Sequence, residues 1–286
     1  MKYVIISPVR NEGKFIRNTL DAVLSQSVKP EKWIIVNDGS QDDTGSIIDE
    51  YAKKNGCIET IHRSDRGYRQ SGAGVIEAFY DGYNSLTSFT WDFIVKLDGD
   101  VTVDKSYFES CFKIFEQEPK LGIGGGVICN LVDGRIIREK TPLFHVRGAT
   151  KIYRKDCWCA IGGLIKAPGW DTVDEIKANM LGWKSRTFSD LPVIHHRRTG
   201  SADGPWKDSI KHGLANYVAG YHPVFMIFKC IRRIFVKPYV IGATGILYGF
   251  LKAYYSRMDR IQDEQLIQYI RNEQIKRITF RQSIWK

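Results

Sequence analysis

The sequence predicts an α/β protein: a doubly wound, mostly parallel sheet covered by helices on both faces, followed by a basic helical appendage. Three observations lead there. Short, uninterrupted apolar runs at residues 3–6, 33–36 and 93–97 alternate with amphipathic stretches, and strands that are apolar on both sides belong in sheets buried on both faces. Each of those runs ends in a polar cluster, as expected where ligands bind outside the carboxyl ends of parallel strands. The charge is also lopsided, because residues 195–286 hold 16 Lys+Arg against 6 Asp+Glu and so carry the whole formal net charge of +10.

The elements follow in order. The first strand, 3–6, is expected to end at Pro8, whose ring removes a ladder donor. Ile16, Leu20, Val23 and Leu24 then fall on one helical face. The second strand, 33–36, stops at Asn37-Asp38-Gly39-Ser40. Thr44 opens a helix carrying Ile47, Ile48 and Tyr51 that ends near Asn55-Gly56. A short strand over 58–61 leads into a polar Gly/Arg loop, 63–74, and a helix through Ile76, Phe79 and Tyr83. The strand at 93–97 ends at Asp98-Gly99-Asp100, and Asp104 is placed to cap a helix that Pro119 closes.

From about 121 to 155 the texture turns strand-rich, with a turn at Val132-Asp133-Gly134. The glycines of Gly122–Gly126 lack dinucleotide-fingerprint spacing and suggest a strand approached closely by another chain or a ligand. A helix is expected over 171–181 with Asp171 as its N-cap, then a strand ending at His195-His196. The boundaries are therefore residues 1–200 for the α/β domain, which divides at about 104, and 201–286 for the appendage.

A composition of 43% hydrophobic residues supplies a full core and excludes disorder. The six cysteines form no CxxC pair, and Cys157-Trp158-Cys159 has no second ligand pair for a metal. The first residues read as a strand, not a signal peptide, so a reduced, cytoplasmic chain is expected. In the appendage, residues 223–237 interleave apolar bulk with cations, and 239–251 is an uncharged run of thirteen. A straight transmembrane helix needs about 20. The segment therefore suits a helix lying at a membrane interface, or a subdomain packed on the body. Attraction to anionic lipid would be electrostatic, so high salt should strip the protein from membranes.

Asp98-Gly99-Asp100 is the sharpest chemical signal. Two carboxylates at a strand end suit a hard divalent cation, Mg²⁺ or Mn²⁺, that also holds a diphosphate. Asp38 is placed to accept from a base or ribose hydroxyl, and the Pro8–Glu12 loop to wall a base pocket.

A strand ending in Pro-x-x-Asn-Glu, a second ending in Asp-Gly-Ser-x-Asp-x-Thr and a third ending in Asp-x-Asp resemble the family-two, nucleotide-sugar-dependent glycosyltransferases of GT-A fold. The likeness covers roughly residues 2–200. It implies metal-dependent, inverting transfer from a nucleotide diphosphate sugar. Pro8, Val9, Arg10, Glu12 and Asp38 would surround the nucleotide, Asp98 the ribose or the metal, and Asp100 the metal. At His195-His196 it implies a third metal ligand or a diphosphate contact, with His195 taken ahead of His196 as the metal ligand. Arg197, Arg198, Arg66 and Arg69 are candidate phosphate contacts.

Inversion also needs a base for the acceptor hydroxyl. Members of the family usually carry a Glu-Asp pair after the strand-rich segment; here Val173 precedes Asp174. Asp174 is taken first as base, Asp171 second and Glu175 third. The Gln-x-x-Arg-Trp motif of processive synthases is absent, which points to addition of one sugar. The acceptor is then a glycan or lipid-linked hydroxyl in surface polysaccharide or glycolipid synthesis, met at the cytoplasmic face of an anionic membrane, with no nucleic-acid partner. The alternatives are a sugar-1-phosphate nucleotidyltransferase and a non-catalytic protein that binds anionic surfaces.

Overall fold

The computed structural model describes residues 1–67, 72–86, 89–132, 134–197 and 204–285. Its first half is the expected alternation: β1 (Tyr3–Val9), α1 (Ile16–Leu24), β2 (Lys32–Asn37), α2 (Thr44–Lys54), β3 (Ile58–His62), α3 (Ala73–Asn84) and β4 (Phe93–Leu97). These four strands pair in parallel in the order β3-β2-β1-β4. Side chains alternate along them, as the two-residue period of a strand requires. Tyr3, Ile5, Trp33, Ile35, Phe93 and Val95 face the layer of α1 and α2. Val4, Ile6, Ile34, Val36 and Ile94 face α3.

Beyond β4 the sheet becomes mixed. The chain adds β5 (Val101–Val103), α4 (Tyr107–Gln117), β6 (Leu121–Val132), β7 (Arg135–Arg138), β8 (Thr150–Arg154), α5 (Lys155–Ile161), α6 (Trp170–Met180) and β9 (Lys184–His195). The sheet continues β4-β8-β6-β9-β5, with β7 on β6. β8 runs antiparallel to both β4 and β6, β9 runs parallel to β6, and β5 antiparallel to β9.

Among the described residues four helices follow: α7 (Gly204–Val218), α8 (Pro223–Arg233), α9 (Val240–Tyr255) and α10 (Glu264–Ile278). They share a core with Val173 and Ile176 of α6 through Tyr217, Tyr221, Met226, Phe250 and Ile270. The appendage is thus packed on the body. Among the described residues no helix is long and apolar enough to cross a membrane.

Four local expectations are corrected. Pro8 lies inside β1, opposite Val36 of β2. Val9 turns its carbonyl toward Asp38 at the end of β2, so Pro8 faces the other side, where pairing with β4 has already stopped at Ile6; the missing N–H breaks no bond there. The glycines of β6 accommodate the chain's own packing, not a ligand or a second chain: a Cβ on Gly124 would sit 2.5 Å from the Phe188 ring, and one on Gly126 2.3 Å from the Leu191 carbonyl. Asp104 does not cap α4 directly; the N-cap is Ser106, whose N–H and hydroxyl donate to the Asp104 carboxylate. Asp171 is the second residue of α6, and Gly169 occupies the N-cap. Asp133 of the expected turn lies outside the described residues.

Candidate active site

The polar clusters at the ends of β1, β2 and β4 come together through short tethers. The Asp38 N–H donates to the Val9 carbonyl (2.8 Å), and Arg10 donates to the Asp38 carbonyl (3.1 Å) and the Asp65 carboxylate (2.6 Å). The carboxylate of Asp38 is held by Arg63 (2.6 Å) and by Arg66. Gly99 sits where a Cβ would lie 2.7 Å from Val9 and 3.4 Å from Glu12, so the glycine between the two aspartates lets the β4 end close onto the β1 end.

There Asp98, Asp100 and His195 converge, each offering a donor atom within 4.8 Å of the other two. The His195 ring reaches Asp100 at 3.2 Å, and Arg197 Nε reaches its other oxygen at 3.3 Å. Burial pushes the imidazole of His195 down, but its hydrogen bond to Asp100 and the nearby carboxylates outweigh this and raise it. Two carboxylates and an imidazole, with Asp98 partly open, suit a six-coordinate divalent cation that keeps sites for ligand oxygens. Glu12 pairs with Arg197, while its Oε2 is buried without a partner among the described residues. His196 points the other way, to the Thr102 hydroxyl and the Phe15 ring. Of His195 and His196, only the first faces the site, as alternation requires.

A cleft of about 400 Å³ opens from this point, and its lining includes Asp98, His195, Lys96, Gly148, Asp171 and His212 of α7. Asp100 and Asp38 do not line it. Asp100 stands behind Asp98 and His195. Asp38, at the end of β2, is separated from the end of β4 by β1 and is joined to the cleft through Arg66, whose guanidinium rests on Gly74 next to the cleft-lining Gly72 and Val75. The three aspartates, expected from their strand ends to meet in one crevice, thus do not: Asp98 lines the cleft, Asp100 adjoins it in the cluster with Asp98 and His195, and Asp38 stands apart.

Asp174 also needs correction as the first-ranked base. Its carboxylate is 3% exposed and takes Lys151 Nζ at 2.8 and 2.9 Å and the Tyr153 hydroxyl at 2.5 Å. Glu175 is as fully engaged, by Lys151, the Val146 N–H and His145. Burial pushes the Asp174 carboxyl up to about 6, against the pull of Lys151. Both residues face the sheet, not an acceptor. Asp171, one turn earlier, lines the cleft. Burial raises its carboxyl, but His145, Lys151 and Arg147 together hold it below the usual carboxylate range, so it is ionised at neutral pH.

Lys96 and Lys151 were not anticipated. They are cross-strand neighbours on β4 and β8, both buried, and each lies 5.5 Å from the Trp170 ring. Lys96 holds Asp98 and donates to the Gly148 carbonyl (2.7 Å). A lone lysine inside an apolar strand is the signal that could have found them. Arg69 and Arg198 lie outside the described residues.

Comparisons with known proteins bear on the family and the fold. Residues 4–165 match the model of glycosyl transferase family 2. The chain is 27% identical over 148 residues to the glycosyltransferase GlyA of Streptococcus pneumoniae (51% of this chain, 19% of that protein). It is 30% identical over 113 residues to a Staphylococcus aureus poly-β-1,6-N-acetyl-D-glucosamine synthase (39% and 25%). The chain therefore spans only about a fifth to a quarter of these relatives. Among solved structures, a Pyrobaculum calidifontis mannosyltransferase in complex with GDP-Man and Mn²⁺ superposes with a TM-score of 0.57 (16% identity, 89% of this chain, 75% of that one). S. aureus TarS 1–349 in complex with UDP-GlcNAc gives 0.56 (17% identity, 96% and 81%). These likenesses establish the GT-A-type fold. The matched segment covers more than half of the sequence and runs through the strand ends that carry Asp38, Asp98 and Asp100, and on that ground the chain belongs to glycosyl transferase family 2.

Proposed function

We propose that the protein is a metal-dependent, inverting glycosyltransferase. It moves one sugar from a nucleoside diphosphate sugar to a hydroxyl of a glycan or lipid-linked acceptor. The observation that carries this reading is the convergence of Asp98, Asp100 and His195 beside a cleft that Asp98 and His195 line together with an ionised carboxylate, Asp171.

Asp98, Asp100 and His195 would hold a Mn²⁺ or Mg²⁺ ion, which when bound supplies Lewis-acid stabilisation of charge on the departing diphosphate. The chain's own residues do the rest. Lys96 fixes Asp98 from behind, and Arg10, Arg63 and Arg66 fix the Asp38 loop that receives the nucleoside. Asp171 accepts the acceptor hydroxyl proton as that oxygen attacks the anomeric carbon. The bond to the diphosphate oxygen breaks as the new glycosidic bond forms, and its electron pair leaves with the nucleoside diphosphate.

Two results test this. Asp171→Asn is expected to lower kcat by about 10² to 10⁴-fold, with donor binding and melting temperature little changed. Asp174→Asn instead perturbs stability, because it disturbs a fully buried network; the reverse pattern would restore Asp174 as the base. In a thermal-shift screen, one nucleoside diphosphate with Mn²⁺ is expected to raise the melting temperature more than either component alone, and the gain should vanish with chelator. Equal shifts with and without Mn²⁺ would remove the metal from the proposal.

The appendage adds a location. Its excess of cations beside exposed apolar residues supports work at the cytoplasmic face of an anionic membrane, where a lipid-linked acceptor is within reach.

A further inference from the structure

Helix α8 is apolar on two sides. Phe225, Met226 and Cys230 are buried against the appendage core. Ile227, Phe228 and Ile231, at helical spacing on another face, are each more than half exposed. The exposed apolar stretch continues past the helix end through Phe235, 78% exposed, to Val240 and Ile241 at the start of α9. The two helix ends adjoin, since a Cβ on Gly242 would lie within 3.3 Å of both Pro238 and Arg233. An apolar helix face calls for cover, and this second face of α8 has none among the described residues.

The charges beside this face identify its cover. Residues 209–258 contain no Asp or Glu and seven Lys or Arg. Lys229 turns inward, to Asn216 (3.2 Å) and the Tyr221 ring. Arg232 and Lys237 flank the apolar residues and are exposed. A second copy of the chain would set these cations against one another. An anionic bilayer satisfies both features, with acyl chains for the apolar side chains and headgroup phosphates for the cations.

We infer that the α8–α9 corner is a membrane-docking wedge, in which Ile227, Phe228, Ile231 and Phe235 enter the acyl boundary of an anionic leaflet while Arg232 and Lys237 grip its headgroups. This deepens the membrane-surface part of the proposed function and rests on it. It also revises the purely electrostatic attachment expected from the sequence, because high salt should weaken binding without abolishing it.

Flotation of the full chain with phosphatidylcholine vesicles, with and without phosphatidylglycerol, tests the wedge. The wild-type chain is expected to float with the anionic vesicles and to retain part of its binding in high salt. Phe228→Ser/Phe235→Ser should lower partitioning roughly 100-fold, and Arg232→Gln/Lys237→Gln roughly 30-fold at low salt. The melting temperature and its nucleotide-induced rise should be unchanged in both. If the double Phe variant binds as the wild type does, the wedge is wrong while the membrane reading stands. If the wild-type chain binds no vesicle, both fail, and a dimer split by the same Phe variant would assign the face to self-association. As a second readout, an environment-sensitive fluorophore on Ile231→Cys, in a Cys159→Ser background, should shift to the blue on anionic vesicles. An unshifted label on bound protein overturns the wedge.

Discussion

Replacing Asp100 by asparagine is expected to lower kcat by about 10³-fold or more while the protein still folds and melts within a few degrees of the wild type. The size follows from the place of Asp100 in the site. It brings one of only two carboxylates into the group of three donors, and it also holds His195 and Arg197 in position. An asparagine keeps the shape and the acceptor oxygen but not the charge. Divalent cations bind weakly to one carboxylate and one imidazole, so both affinity for the ion and stabilisation of the leaving diphosphate fall together. The measurement is initial rate against Mn²⁺ concentration with release of nucleoside diphosphate as readout. Turnover near the wild-type level at any Mn²⁺ concentration sinks the assignment of Asp100. Release of pyrophosphate in place of nucleoside diphosphate would instead favour a nucleotidyltransferase.

The largest effect on stability is expected from Lys151→Met. The ammonium is fully buried between Asp174 and Glu175, which together raise its pKa against the opposing effect of burial. Removing it leaves carboxylates without their cation in a site closed to water, a loss of about 3–5 kcal/mol and a melting temperature lower by roughly 10 °C.

The pH dependence gives this prediction a sign. The Asp174 carboxyl is raised from its ordinary 3.8 to about 6 in the folded protein. Its own contribution to stability is thus complete below about pH 4 and is lost as pH rises through about 6. Without Lys151 the carboxyl rises further, so the deficit of the variant should be larger at pH 8 than at pH 5, where a proton stands in for the missing cation. His145, raised by Glu175 although burial opposes this, continues to offset the second carboxylate. Adding Asp174→Asn to Lys151→Met should recover part of the loss. A deficit independent of pH, or made worse by the second substitution, would mean that packing and not charge holds α6 on β8.

How far the sequence reached follows the physics of each feature. The parallel half was legible because strands buried on both faces can only be written as continuous apolar runs, and their polar ends mark the ligand edge. Asp98 and Asp100 were legible for the same reason. The choice between Asp171 and Asp174 was not. Both lie in the first turns of α6, and only the side chains beneath, Lys151 and Tyr153 of β8, decide which one turns away from the cleft. Those partners come from a strand whose antiparallel insertion beside β4 no local pattern announces. The glycines of β6 gave the right element and the wrong visitor, since the Phe188 that packs on Gly124 arrives from far along the chain. In the appendage the cations and apolar bulk were plain, but that α8 buries one apolar face and leaves another open is a property of its neighbours on α6 and α9.

The central claim is tested most directly by diffraction from crystals grown with Mn²⁺ and the nucleoside diphosphate selected by the thermal-shift screen. The account predicts an anomalous peak for manganese bonded to Asp98, Asp100 and His195, with diphosphate oxygens completing its coordination and Asp171 facing the space beyond. A well-ordered nucleotide in the cleft with no manganese at those three side chains, or manganese bound elsewhere, would contradict it.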